Sequence, residues 1–522
     1  MAQTRRQFLE RIGHSAGAAM TYEAMVAMGF MAAPARMAAA TPPQGQGMGA
    51  QVVILGAGLA GMSTGYELMK LGYDVRILEA RTRPGGRCHT IRCDTPTEEK
   101  DTSGVCGFEE GLYYNPGPMR IPHHHTATLG YCKELGVPVE VFVNDNDAAF
   151  LYQTKSAKLA GTRLRGREVR ADLGGYTAEL LAKAAPGIEL DTALTKEDRE
   201  ALVAFLAREG ALQESGKYTG SARRGYAAPP GVQAGRMSEP LPLADLLGSG
   251  AGMYIQTEYL QQAPMFQVVG GTDRLAAGFA AKLADRITYG AEVREVRQKA
   301  GGVEVTYLVG GAPKVITADY GVSALPMTIM SKMPVLDLDE GLKKEMAAVQ
   351  YAASGKIGLQ FKRRFWEEDE QIFGGISRTD QDITQIVYPS TGYLGTKGVL
   401  IGYYQSGPRA AEMAARTPAE REAFALAQGK LIHPQYEREF ERSFSVSWQN
   451  VKYNEGAWAQ MTPEVRKSLF PKMLEPDRRI YFAGDHCSNL TAWMCGALES
   501  GKFVAANVHT RAQADGTRKA VA

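Results

Sequence analysis

Residues 51–79, QVVILGAGLAGMSTGYELMKLGYDVRILE, constrain the fold more than any other stretch. Residues 51–55 are a short Val/Ile-rich apolar run, which predicts a buried parallel strand. Gly56, Gly58 and Gly61 follow at GxGxxG spacing. The first permits a tight turn, the second lets a pyrophosphate approach the backbone, and the third lets helix pack on strand. A helix is predicted from Leu59 and Ala60 to Lys70, with Leu59, Met62, Tyr66 and Met69 on one face. Its first-turn amides carry partial positive charge, which suits a diphosphate. Leu71-Gly72 ends the helix, and a second strand follows over Asp74–Leu78. Glu79 stands at that strand's end, where a carboxylate can accept both ribose hydroxyls. Such an acid favours a free 2′-hydroxyl, hence FAD or NAD rather than NADP.

The next residues, ARTRPGGR, put Ala80, Arg81, Gly85, Gly86 and Arg87 just beyond that acid. A second basic, glycine-rich loop there can reach the same diphosphate. The arrangement resembles the FAD-binding signature of the flavin amine oxidase superfamily. It is the resemblance, not the glycines, that implies FAD.

Length and charge bound the rest. The chain has 522 residues, enough for two or three domains, and its 44% apolar and 22% charged fractions are those of a globular protein. Residues 1–50 hold four basic side chains (Arg5, Arg6, Arg11, Arg36) and two acidic ones (Glu10, Glu23). They carry the whole formal charge of +2, so residues 51–522 sum to zero. A near-neutral body argues against nucleic acid or an anionic membrane surface as partner. TRRQFLERIG, with Arg5-Arg6 before Phe8-Leu9, resembles a twin-arginine export signal, and small residues near Ala38–Ala40 offer a cleavage site. Residues 24–35 are apolar but too short for a membrane span. A periplasmic or secreted product is therefore expected; a disordered basic tail is the competing reading. The six cysteines form no CxxC pair, so zinc is not expected. They stand as free buried thiols or, after export, as one disulfide. His123-His124-His125 is expected in a solvated loop or at a helix start.

Further along, the stiff segment Tyr113–Pro122 holds Met119 and Arg120 in a mostly apolar setting. A guanidinium held there is costly unless an anion meets it, whether a ligand or a structural carboxylate. GPMRIP resembles the segment by which L-amino acid oxidases hold the substrate α-carboxylate. The same resemblance gives Lys356 the place beside the flavin N(5), reached through a water, and gives Tyr388 a hydrogen bond to the carboxylate. A surface lysine and a core aromatic are the competing readings. Trp448 and Tyr453–Trp458 resemble the loop where monoamine oxidases carry the cysteine bonded to flavin. Ala457 occupies the matching position, which excludes a covalent bond there. Val293 matches a residue whose backbone touches the adenine. The C-terminal RIYFAGDHCSNLTAWMCGALESGKFVAANV resembles the family's second flavin motif. In it Gly484 and Asp485 end a strand, and Ala492-Trp493-Met494 opens the last helix, predicted to about Arg511. The resemblance puts that helix start on the flavin and Ala492 and Trp493 on the substrate.

The expected fold class is α/β, α+β overall: a Rossmann-like FAD-binding domain with a mixed α+β substrate domain and a helical insertion. The expected boundaries are 1–40 for the export signal, then 48–88 with 262–325 and 470–515 for the FAD-binding domain. The substrate domain takes 89–152 with 326–469, and the insertion 153–261. Short helices are predicted over 126–136, Tyr176–Ala184 and Lys196–Glu209, the last capped by Thr195. Hairpin strands are predicted at Ile287–Val296 and Val303–Val309, and another strand at Asp319–Ala324. The resemblance implies an FAD-dependent oxidase, with FAD bound non-covalently and a homodimer expected. It would pass a hydride from the Cα of an L-amino acid to the flavin. Water and dioxygen complete the reaction to a 2-oxo acid, ammonium and hydrogen peroxide. The proton acceptor is left open between water and a neutral Lys356. Alternatives are a monoamine- or polyamine-type oxidase, an amino acid 2-monooxygenase, and a non-catalytic binding protein on the same fold, as in GDP-dissociation inhibitors.

Overall fold

The computed structural model describes residues 49–155, 159–185, 195–227, 235–248 and 259–521. The expected export segment, residues 1–40, lies outside them.

The apolar run Gln51–Leu55 forms the middle strand of a five-stranded parallel sheet. The strand order is Ile480–Phe482, Tyr320–Ser323, Gln51–Leu55, Asp74–Glu79, Ile287–Tyr289. Side chains alternate across a strand, so Val52 and Ile54 join one core while Val53 and Leu55 join another. Burial on both faces is what the continuous apolar run anticipates. On the first face lie the helices Leu59–Lys70, Asp273–Leu283 and Met494–Val521. The C-terminal helix crosses the Leu59–Lys70 helix at Gly501, where a Cβ would stand 2.0 Å from Ser63 Oγ. Only a glycine lets the two ends of the chain meet that closely. On the second face lies the antiparallel meander Ala291–Lys299, Gly302–Val309, Ala312–Ala318.

A second sheet of seven strands carries the other half of the site. Its order is Phe440–Ser447, Ser354–Phe361, Gly398–Ser406, Gln385–Val387, Ile376–Thr379, Phe150–Tyr152, Arg163–Arg165. One face packs on an aromatic-rich cluster with Phe361, Trp366, Tyr403 and Tyr436. The other packs on Tyr114, Met119, Ile376 and Trp448.

Three predicted elements differ. Ile287–Val296 is not one strand: Gly290, at φ 66°, breaks it, so Ile287–Tyr289 joins the parallel sheet and Ala291–Lys299 the meander. The Tyr176–Ala184 helix begins earlier, at Gly166. Gly174-Gly175 obscures its period, and Gly175 is needed because a Cβ would strike the Tyr218 ring at 2.2 Å. The last helix runs over Met494–Val521, and Ala492, at φ 68°, sits in the turn before it. The Leu59–Lys70 and Lys196–Glu209 helices match their predicted bounds, and Thr195 caps the second by accepting from Asp198 N at 3.1 Å. All six cysteines are free, and only Cys93 is exposed. Among the described residues no helix is long and apolar enough to cross a membrane, and no His/Cys/Asp/Glu group is placed to hold a metal.

Candidate active site

A long cavity runs between the two sheets, from Glu79 at one end to Arg120, Lys356 and Trp493 at the other. At the first end, Gly58 precedes the Leu59–Lys70 helix with no side-chain cap. The first helical amide with a backbone acceptor is Met62 N, on Gly58 O at 2.9 Å. The amides of Leu59 and Ala60, whose residues line the cavity, have no acceptor among the described residues. Unpaired amides at a helix start suit an anion. Gly85 stitches the second glycine loop to the first: its N donates to Ala57 O at 2.7 Å, and it bridges Gly58. A Cβ built on Gly58 meets nothing within 4 Å, and one on Gly86 meets only Gly58 Cα at 3.7 Å. The two glycines therefore frame an open cradle. Glu79, buried, accepts from Ala57 N at 2.8 Å and Arg81 N at 2.9 Å, and lines the cavity with Ala80, Arg81 and Val293.

In the middle, the Arg87 guanidinium forms an ion pair with Asp485 and donates to Ala457 O at 2.6 Å. Burial pushes the Asp485 carboxyl up, but Arg87 outweighs it and holds the group below the ordinary value. Asp485 also accepts from Ala492 N at 2.9 Å, which ties the positive-φ turn, and Trp493 after it, to this ion pair. His486 lines the cavity with its Nε2 buried and without a partner among the described residues.

At the far end, Lys356 sits on the Ser354–Phe361 strand, every residue of which is buried. Its Nζ donates to Gly117 O at 2.6 Å and Asn115 O at 3.1 Å, and lies 4.3 Å from the Tyr404 ring centroid. Burial, and then the Arg120 charge, hold the Lys356 pKa well below its ordinary value. The Arg120 Nη1 donates to neutral Asn144 Oδ1 at 2.7 Å, and no carboxylate lies in ion-pair range among the described residues. Burial lowers the guanidinium's pKa. Trp493 meets the His125 ring edge-on, with centroids 4.9 Å apart. Trp448 Nε1 donates to Pro116 O at 3.0 Å, which braces the Arg120 segment.

The cavity thus brings together Gly56, Gly58, Leu59, Ala60, Glu79, Ala80, Arg81, Gly86, Arg87, Met119, Arg120, Val293, Lys356, Gly484, Asp485, Ala492, Trp493 and Met494. Two expected residues stand apart. Gly61 does not line it: a Cβ there would lie 2.1 Å from Gly56 O, so this glycine serves helix–strand packing. Tyr388 does not line it either. Fully buried, its hydroxyl bonds Ser377 Oγ at 2.7 Å and His433 Nε2 at 2.6 Å, on the far face of the seven-stranded sheet. Tyr404 stands in the cavity instead, directly opposite Lys356 in the sheet register. The histidine run does start a helix, but His125 is buried rather than solvated. Tyr404, His486 and Gln261 line the cavity without having been singled out in the sequence. Cross-strand register alone finds Tyr404, and no local pattern marks it.

Comparison with known proteins agrees with this architecture. A sequence model described as flavin containing amine oxidoreductase matches residues 59–509. The L-amino-acid oxidase of Pseudechis australis is 27% identical over 482 residues, covering 89% of this chain and 87% of its own. That of Gloydius blomhoffii is 28% identical over 480 residues, covering 88% of each. Among solved structures, wild-type putrescine oxidase bound to putrescine superposes with a TM-score of 0.58 at 18% identity, covering 88% of this chain and 98% of its own. Cyclohexylamine oxidase from Brevibacterium oxydans IH-35A gives 0.59 at 17%, covering 89% and 99%. At such identities the structural likeness speaks for the fold.

Proposed function

The chain belongs to the flavin containing amine oxidoreductase family, and from that premise we propose that it is an FAD-dependent L-amino acid oxidase. It would convert its substrate, with water and dioxygen, to a 2-oxo acid, ammonium and hydrogen peroxide. FAD, held without a covalent bond, supplies the two-electron oxidation when bound. The open glycine cradle, the free helix amides and Glu79 fit its diphosphate and ribose. Ala457, in the loop that carries Trp448, offers no thiol for a covalent link.

The observation that carries the substrate assignment is Arg120. It is a half-buried cation with only a neutral partner among the described residues, at the end of the cavity that holds Lys356 and Trp493. Left unmatched, such a charge is costly and repels a bare ammonium; a substrate carboxylate neutralises it with charge-assisted hydrogen bonds. Pinning the carboxylate fixes where the Cα–H lies, and that positioning is a large part of catalysis. Tyr404 and Trp493 wall the same space. Lys356 is suited to take the substrate's ammonium proton. Burial and the Arg120 charge hold its pKa well below the ordinary value, the direction a proton acceptor needs.

The test is peroxide release across the twenty L-amino acids, their D-forms and several amines. L-amino acids should be oxidised, with 2-oxo acids as products. Activity on phenylethylamine with none on phenylalanine would assign an amine oxidase, and an amide product a monooxygenase. Acid precipitation should leave the flavin in the supernatant; a yellow pellet would mean a covalent link. Export by the Arg5-Arg6 signal belongs to the same proposal, and cell fractionation of an Arg5→Lys, Arg6→Lys variant tests it.

A further inference from the structure

Lys356 and Tyr404 stand directly opposite each other where Ser354–Phe361 pairs antiparallel with Gly398–Ser406. Cross-strand partners project from the same face of a sheet. Here it is the face toward the cavity: both residues line it, while Tyr403 turns to the aromatic cluster on the far side. Lys356 Nζ lies 4.3 Å from the Tyr404 ring centroid, within the range over which a ring face attracts an ammonium. On the other neighbouring strand Lys356 pairs with Val446, which is buried and apolar. The Tyr113–Pro122 segment brings the carbonyls of Gly117 and Asn115, at 2.6 and 3.1 Å, and the Arg120 charge. Among the described residues, then, Arg120 and Tyr404 are the charged and titratable groups that face Lys356, and no acid pairs with it.

These neighbours act differently on the two forms of the side chain. Burial and the Arg120 charge oppose the ammonium. A ring quadrupole attracts the ammonium and leaves the amine almost untouched, so Tyr404 works against both. The fold fixes the ring's strand: Thr384 Oγ1 and Gln385 Nε2 donate to the Tyr404 carbonyl at 2.6 and 3.3 Å. The Tyr404 hydroxyl makes no hydrogen bond among the described residues, so what meets Lys356 is the ring rather than the phenol. Building on the amino acid oxidase reading, in which Lys356 takes the substrate's ammonium proton, we infer that Tyr404 is a positioning residue whose π face holds that proton on Lys356.

The first test needs no turnover. Melting temperature is followed from about pH 5 to about pH 11 for the wild type, Tyr404→Phe and Tyr404→Leu, each with and without Lys356→Met. The Lys356-dependent part of stability is flat while folded and unfolded chains both hold the proton, and it climbs with pH above the folded-state pKa. The onset of that climb should move down by about one pH unit in Tyr404→Leu, the loss expected for one desolvated cation–π contact. It should stay in place in Tyr404→Phe, which keeps the ring. Tyr404→Trp should move it up, and decides the matter if the leucine variant does not fold. In the holoenzyme the acid inflection of kcat/KM for an L-amino acid should shift in the same direction for each variant. An onset that stays in place in Tyr404→Leu overturns the inference. So does an equal move in Tyr404→Phe and Tyr404→Leu, which would assign the effect to the hydroxyl. A protein that releases no peroxide from any L-amino acid removes the oxidase reading, and the stability cycle still reports whether the ring holds the proton.

Discussion

Replacing Arg120 by methionine separates a ligand-binding cation from a structural one. A guanidinium–carboxylate pair makes two charge-assisted hydrogen bonds of about 1.5–3 kcal/mol each. Nη1 is committed to Asn144 Oδ1 at 2.7 Å, which leaves the other guanidinium N–H groups for the substrate. Losing the pair should cost about 3 kcal/mol or more, over about a hundredfold in kcat/KM. Folding should respond differently. The wild type holds a half-buried, partly desolvated charge with no counter-ion among the described residues, and methionine removes that desolvation cost. Against this stands about 1 kcal/mol for the Asn144 oxygen left without its donor. The melting temperature should therefore hold or rise while activity collapses. The assay is peroxide release from phenylalanine and phenylethylamine, a pair that differs by one carboxylate. The acid should lose its hundredfold and the amine should not. An equal loss on both substrates, or a melting temperature that falls with activity, would refute the assignment of Arg120 to the carboxylate.

Other outcomes follow from the same geometry. Gly58→Ala should fold normally, since φ is −73° and its Cβ meets nothing within 4 Å, but should fill the cradle and lower the flavin-to-protein absorbance ratio. Gly61→Ala, with a Cβ 2.1 Å from Gly56 O, should instead lower stability by about 1–3 kcal/mol or more in thermal unfolding. Burial pushes His486 from 6.5 down to about 4 and His433 to about 3. The unfolded chain thus takes up protons that the folded one refuses, and stability should fall as pH drops from 6.5 toward 4. His486 accounts for about 3 kcal/mol of that loss, so His486→Gln should flatten the acid limb of a melting-temperature profile. Lys356 has a folded pKa well below its ordinary 10.5, so the unfolded state binds the extra proton and stability should climb with pH up to that value. Lys356→Met should remove the climb; equal slopes between pH 7 and 10 would mean that the wild-type amine is already charged.

The chain's own pattern determined the nucleotide half of the molecule. Strand, glycines, helix and terminal acid between residues 51 and 79 are consecutive, and the contacts that join them, such as Ala57 N to Glu79 and the pairing of Gln51 with Asp74, close within that one segment. Backbone sterics and strand period therefore write themselves into local spacing, and the Leu59–Lys70 helix falls where that spacing puts it. The substrate half was decided by tertiary structure. Both faces of the seven-stranded sheet are buried, so its strands lack the polar alternation that would tell one face from the other. Tyr388 and Tyr404 are equally plausible in sequence; cross-strand register sends the first to His433 and the second to Lys356. Likewise, one Gly290 at positive φ hands two halves of an apparent strand to different sheets. Which charges are left without a partner is also a property of packing alone. Arg120 and Lys356 are 236 positions apart, and only the closed fold sets both against one cavity.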